Sequence, residues 1–276
     1  SASVVQEMMK TLSTTLPFTD VKNTDWCFSE VARVYADGIM GGTSNTTFSP
    51  AGTLTRGQVV AMLYRMAGSP AVTANTTGFS DVDNGAYYAD AVKWASGKEI
   101  VGGYADGTFR PSAQLTGFAF LKMLLTALGY DSAIEGYTGP NWQVSVIKQA
   151  SGIGLDDGND EFVGNRAATR EEACLYAVNA LQATLVEYAD KGQEITVNGT
   201  VISTRPSVPT YITSSIAGAA TSIDDTKDNT QNDYTVEFAE RYQPDLELDR
   251  TIDVFGRPAH TWTWKGDEVG TYVDYD

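Results

Sequence analysis

Cysteine is scarce in this chain, and histidine more so. Two cysteines, Cys27 and Cys174, stand far apart among 276 residues, and neither belongs to a C-x-x-C pair. That excludes a disulfide scaffold and a cysteine-ligated zinc site. Two buried thiols or one disulfide remain as readings. His260 is the sole histidine, and no nucleophile motif stands near it, so it reads as structural or exposed. Basic residues are few as well. Lys and Arg number 19 against 35 Asp and Glu, a net charge of −16. A nucleic-acid binder carries a basic stripe, so this balance argues against one. It suits a soluble surface, or carboxylates that could recruit Ca²⁺. No apolar run reaches the length of a membrane span. No basic, apolar-cored segment opens the chain, although a processed secretory protein would lack one too. No Gly-rich phosphate loop follows a strand, and the acidic loop Asp156–Glu161 lacks EF-hand spacing. The expectation is a non-catalytic protein with no cofactor.

Repetition dominates what is present. A shift of 61 residues sets Phe18, Asp20 and Val21 on Phe79, Asp81 and Val82. The same shift sets Gly41-Gly42 on Gly102-Gly103, Phe48 on Phe109, and Leu54-Thr55 on Leu115-Thr116. A shift of 114 sets Ile39 on Ile153, Phe48 on Phe162, and Thr55-Arg56 on Thr169-Arg170. The third copy is looser, with Leu155-Asp156 in place of the glycine pair.

Each copy predicts two helices. The first is written WCFSEVARVYADG, YYADAVKWASG or NWQVSVIKQASG, with apolar residues three and four apart. Gly38, Gly97 and Gly152 suit the helix ends. A glycine-rich loop with one aromatic follows, then a threonine placed to cap the second helix. Glu172, three residues after Thr169, completes a capping-box pattern. The second helices are apolar over a broad face that a lone helix pair cannot bury, so the three should pack on one another.

The run FTDV…GIMGG…TFSP…LTRGQ resembles the S-layer homology domain, a family whose units normally come in threes. The resemblance covers most of residues 18–188. It implies a mainly α-helical, pseudo-threefold spindle with prongs, hence an α+β chain once the C-terminal part is counted. It implies units at 18–70, 71–130 and 131–190, after a lead-in of residues 1–17. It also implies grooves between units that bind secondary cell-wall polysaccharide, often pyruvylated, and so anchor a secreted protein at the bacterial cell wall, with a homo-oligomeric lattice as a further partner. The family's Thr-Arg-Ala-Glu motif is matched by Thr55-Arg56-Gly57-Gln58 and Thr169-Arg170-Glu171-Glu172. It departs to Thr116-Gly117-Phe118-Ala119 in the middle copy, which puts that copy's share of binding in doubt. The groove residues implied are Thr55, Arg56, Thr169 and Arg170, the pairs Gly41-Gly42 and Gly102-Gly103, and Asp20 and Asp81. Trp26, Tyr87 and Trp142 could stack on sugar faces or pack in the core.

The physics of the motif gives the same emphasis. An Arg in the first helical turn sits unfavourably at the positive end of the helix dipole. Free N–H groups plus a guanidinium would make an anion site that offsets this. The competing reading is a local bridge to Asp20 or Asp37.

Beyond residue 190 the texture changes. A small β-rich module is expected over 191–276. GQEITVNGTVIST reads as a hairpin about Asn198-Gly199. YTVEFAERY and TWTWKGDEVGTYVDYD read as strands, the latter turning at Lys265-Gly266-Asp267. The polar stretch between 214 and 233 reads as a loop. In a second reading the module opens an enzyme or adhesin, with the repeats as its tether; in a third the chain is a self-assembling lattice protein whose grooves are vestigial.

Overall fold

The computed structural model describes residues 16–192, 194–197, 200–203, 205–212, 236–242, 246–252, 255–264 and 267–273. The chain is mostly helical with small antiparallel sheets, an α+β protein. Residues 1–15, the 214–233 stretch, Asn198-Gly199 and Lys265-Gly266 lie outside the described residues.

Six helices carry residues 18–188: α1 (Phe28–Ala36), α2 (Arg56–Met66), α3 (Ala89–Gly97), α4 (Gly117–Ala127), α5 (Trp142–Gly152) and α6 (Arg170–Leu181). The second helix of each copy starts as its threonine dictates. Thr55, Thr116 and Thr169 have extended backbones, and their hydroxyls accept from the N–H groups of Gln58, Ala119 and Glu172. Thr55 and Thr169 form complete capping boxes. The first helices have no side-chain cap.

Helix exits correct one detail of the sequence reading. Gly38 is left-handed (φ 69°), but its counterparts are Glu99 (φ 58°) and Gly154 (φ 75°), not Gly97 and Gly152. Those two glycines end their helices within the last turn.

The apolar faces are buried across copies rather than within them. Helix α1 packs on α6, α3 on α2, and α5 on α4, so each first helix lies on the second helix of another copy. Val31, Val34, Val59, Leu63, Val92, Ala95, Leu121 and Leu125 are fully buried in one continuous core. Backbone hydrogen bonds close the same connection. Leu54 N–H donates to Ala168 O (3.1 Å), Ala168 N–H to Leu115 O (2.9 Å), and Leu115 N–H back to Leu54 O (3.1 Å). These are equivalent positions in the three copies, so the cycle joins all three at one point.

The C-terminal part contains β1 (Val186–Glu187), β2 (Glu194–Val197), β3 (Thr200–Ser203), β4 (Thr210–Tyr211), α7 (Phe238–Tyr242), β5 (Leu246–Ile252), β6 (Pro258–Trp264) and β7 (Asp267–Val273). The β2–β3 hairpin pairs Val197 with Thr200, and β6–β7 pairs Trp264 with Asp267, as the turn signals predict. His260 stands on β6, opposite Arg250 and Tyr272.

Two expectations change here. Phe238–Tyr242, read as strand, is a short helix. The rings of Phe238 and Tyr242 lie one helical turn apart with centroids at 4.6 Å, and Phe238 is buried. The composition break near 190 is also not a break in packing. Ile212, Val236, Phe238 and Ala239 join the same core as the repeats. Leu185 N–H donates to Val236 O, Phe238 N–H to Ala183 O, and Ile212 N–H to Leu185 O.

Candidate functional site

In the first two copies the loop before the second helix is built on an aspartate. Asp20 accepts the N–H groups of Phe48 and Ser49 at 2.8 and 2.7 Å. Asp81 accepts those of Phe109 and Arg110, both at 2.7 Å. Burial pushes the Asp20 carboxyl up, but these backbone donors and the Arg170 charge outweigh it and hold the pKa below the ordinary value. Both aspartates thus fix loop shape through charge-assisted hydrogen bonds. The loops place Phe48 and Phe109 in the core, fully buried.

The motif arginines reach across copies onto these loops. Arg170 donates from Nε to Phe48 O (2.7 Å) and from Nη2 to Gly41 O, with its guanidinium 4.5 Å from the Phe48 ring centroid. Arg56 donates from Nη2 to Gly102 O (2.6 Å) and lies 4.5 Å from the Phe109 ring centroid and 5.7 Å from that of Tyr104. Its Nε is buried without a hydrogen-bond partner. Burial lowers the pKa of both guanidiniums.

The expected bridge to Asp20 or Asp37 is therefore a bridge to backbone carbonyls. Asp37 is held instead by Arg33 at 2.7 Å. The expected free N–H groups are not free either. The amides of Arg56 and Gly57 donate to Ala113 O and Pro111 O, and those of Arg170 and Glu171 to Gly52 O and Pro50 O. The helix starts are sealed by the neighbouring copy. Any anion site must lie on the outer side of the guanidinium, beside the glycine pair.

The two glycines of each pair have different jobs. A Cβ on Gly42 would come within 2.5 Å of the Phe18 ring, and one on Gly103 within 2.3 Å of the Phe79 ring. A Cβ on Gly41 or Gly102 would meet nothing within 4 Å. The second glycine thus admits the aromatic beneath it, and the first leaves bare backbone facing open space.

A cavity of about 150 Å³ opens at this bare backbone. Gly41, Gln58, Arg65, Tyr87 and Arg170 line it, with no carboxylate among its lining residues. Arg65 donates from Nη1 to Ile39 O at 3.2 Å, which aims the guanidinium along the same wall. Tyr87 is 67% exposed at the rim. Sequence reasoning missed Arg65, because an arginine inside a helix reads as a solvated charge. Its only signal was a place nearly three turns after the capping threonine.

Arg56 has a parallel setting. Lys122 lies near enough that its pKa is lowered by burial first and by the Arg56 charge second. Lys122 donates to Tyr137 O (2.7 Å), with its ammonium 5.6 Å from the Trp142 ring centroid. Gly102, Arg56, Lys122 and Trp142 thus echo Gly41, Arg170, Arg65 and Tyr87.

The middle copy has no such arrangement. At Gly117 a Cβ would come 2.9 Å from Phe162 Cε2. Phe118 meets Phe162 and Trp142 edge-on, with centroids at 5.5 and 6.4 Å. Arg166 is spent on Glu172, which also caps α6. Trp26, 51% exposed before α1, is the counterpart of Tyr87. The structure does not bring it together with either motif arginine. Among the described residues no three of His, Cys, Asp and Glu converge to hold a metal ion, and none of the helices is long and apolar enough to cross a membrane.

Both cysteines are buried, free thiols. Cys27 Sγ lies 3.7 Å from Glu171 Oε2 at the contact of α1 with α6. Burial first, and the Glu171 charge second, push its pKa up to about 12.

Comparison with known proteins agrees with the first two copies of the repeat. Residues 17–60 and 78–121 match the S-layer homology domain model. The middle cell wall protein of Brevibacillus brevis is 31% identical over 170 residues, covering 60% of this chain and 15% of that protein. The surface layer protein of Brevibacillus choshinensis is 30% identical over 176 residues, covering 62% and 15%. An endoglucanase of a Bacillus species is 36% identical over 118 residues, covering 43% and 12%. The chain thus spans about 15% of the length of the first two relatives. The family match and these relatives indicate a place at the cell wall or cell surface.

Proposed function

We propose that residues 18–190 form three S-layer homology units in a pseudo-threefold array that anchors a bacterial surface protein to its cell wall. The ligand is an anionic secondary cell-wall polysaccharide, with a ketal-linked pyruvate as the charged group. Its carboxylate sits between Arg65 and Arg170 beside Gly41, and a neighbouring sugar ring lies on Tyr87. A second groove uses Gly102, Arg56, Lys122 and Trp142. The middle copy's motif, at Thr116-Gly117, contributes no charge, and by the same cyclic arrangement Trp26 belongs to that silent groove.

One observation carries this reading. Two guanidiniums face one cavity, and no carboxylate among the lining residues neutralises them. An anion with hydrogen-bonding oxygens completes such a pair. An uncharged ligand would leave two cations crowded together.

Calorimetry with purified cell-wall polysaccharide tests it. Arg65→Ala should weaken binding about tenfold or more, since a charge-assisted contact is worth about 1.5–3 kcal/mol. Removing the pyruvate chemically should weaken the wild type by a comparable factor. Unchanged binding in both experiments would place the ligand elsewhere.

The endoglucanase match favours a second reading for the module after the repeats. There the repeats are a tether and the catalytic domain is supplied by further sequence. A chain of residues 1–276 that hydrolyses carboxymethyl cellulose would show instead that the catalytic groups are already within it.

A further inference from the structure

A second and larger cavity lies away from the arginine grooves, where α3 and α4 end. Its volume is about 390 Å³, within the range of small-ligand sites. Trp94, Tyr130 and Tyr242 supply aromatic surface, and Lys98, Glu99, Asp131 and Lys191 supply polar groups. Trp94 is partly buried, and its ring is fixed by Tyr64 at 5.8 Å. Tyr130 is buried.

The charges differ in kind from those of the grooves. Two ammonium groups are matched by two carboxylates, and Lys191 Nζ is 3.0 Å from Asp131 Oδ2. Two helix C-termini open nearby, and their carbonyl ends carry partial negative charge. An added anion would meet both the carboxylates and these dipole ends. A hydroxyl-rich neutral molecule would find donors and acceptors in balance, with aromatic faces for its C–H surface.

The shape of the wall also follows from the repeat. Glu99 lines the cavity at φ 58°, where the first copy has Gly38 at φ 69°. All three copies leave their first helix in this left-handed conformation, so the helix exit itself places the Glu99 side chain at the cavity wall.

We infer that this cavity binds an uncharged pyranose residue, stacked on Trp94 and hydrogen-bonded by Lys98, Glu99 and the Asp131–Lys191 pair. It shares only the core with the grooves, so it does not depend on how they are read.

Saturation-transfer NMR on the full chain tests this, with glucose, galactose and N-acetylglucosamine as probes and lactate as the anionic control. Transfer to at least one sugar and none to lactate at this site is expected. Trp94→Ala should weaken the sugar signal about tenfold. Ala133→Trp, at an exposed lining position, should block the cavity without touching the core, and keeps the test valid if Trp94→Ala unfolds. Absence of transfer from all three sugars overturns the inference. So does a signal that survives Ala133→Trp, since that would put the sugar elsewhere.

Discussion

Phe162 occupies the space that a side chain at Gly117 would need. A Cβ at Gly117 would sit 2.9 Å from Phe162 Cε2 and 3.3 Å from Cζ. In the other two copies the residue at this position is an arginine lying 4.5 Å over a buried phenylalanine, Phe109 or Phe48. The middle copy has traded that cation-on-ring contact for packing of Phe118, Phe162 and Trp142. Restoring the motif should therefore fail. Gly117→Arg is expected to destabilise by about 1–3 kcal/mol through overpacking. Urea denaturation would show it, and polysaccharide affinity should not rise.

Arg170 and Arg65 should separate stability from binding. Arg170 bridges two copies through Phe48 O and Gly41 O and is 7% exposed. Arg170→Ala leaves the buried Phe48 carbonyl unpaired, and with it removes the bond to Gly41 O and the stacking on the Phe48 ring, so it should cost about 3 kcal/mol. Arg65→Ala removes one 3.2 Å bond on a half-exposed wall and should cost about 1 kcal/mol or less. Equal losses in denaturant unfolding would mean that Arg65 is structural too.

Asp20 predicts an acid sensitivity with a defined sign. Its folded-state pKa lies below the ordinary value. The stability it adds is therefore full above the unfolded-state carboxylate range and fades as pH falls through the depressed pKa. Asp20→Asn should lower stability at neutral pH and shrink its decline below about pH 4. A variant whose stability falls with acid as steeply as the wild type would assign that decline to other carboxylates.

Much of this was legible locally. The three threonine caps follow from their own sequences, because a hydroxyl followed by a free N–H is a contact within one turn. The Gly117 departure was legible too, but not its cause, since Phe162 is remote in sequence. The hydrogen-bond cycle through Leu54, Ala168 and Leu115 is invisible to periodicity for the same reason. The sealed helix starts were misjudged on that ground. A sequence shows which N–H groups a helix leaves free, but not which carbonyl of another copy comes to meet them. Phe238–Tyr242 was misread because alternation in so short a run fits strand and helix alike.

The thiols should be silent until the protein unfolds. Cys27 and Cys174 are buried, and burial raises both pKa values. At pH 8 a thiol reagent such as Ellman's should label neither rapidly in the native state and both in denaturant. Fast native labelling of Cys27 would mean that the α1–α6 contact opens readily.

The C-terminal elements should act as part of the repeat core rather than as a detachable module. Phe238 is 2% exposed, its N–H reaches Ala183 O at 3.0 Å, and Val236 links Leu185 to Ile212 through two backbone hydrogen bonds. A Cβ on Gly129 would come 2.1 Å from Val186 O, so the last residues of the third copy, which pair with Tyr211 of the C-terminal part, are pressed against the end of α4. Phe238→Ala should therefore destabilise the repeats themselves by about 3–5 kcal/mol, the usual cost of deleting a buried ring. Near-ultraviolet circular dichroism and amide exchange in α4 and α6 would report it. Protease nicking between 188 and 194 should leave the two pieces associated until denaturant is added. A nicked sample that separates under native conditions, with the repeats still protected from exchange, would show two independent folding units and restore the boundary that composition suggests near residue 190.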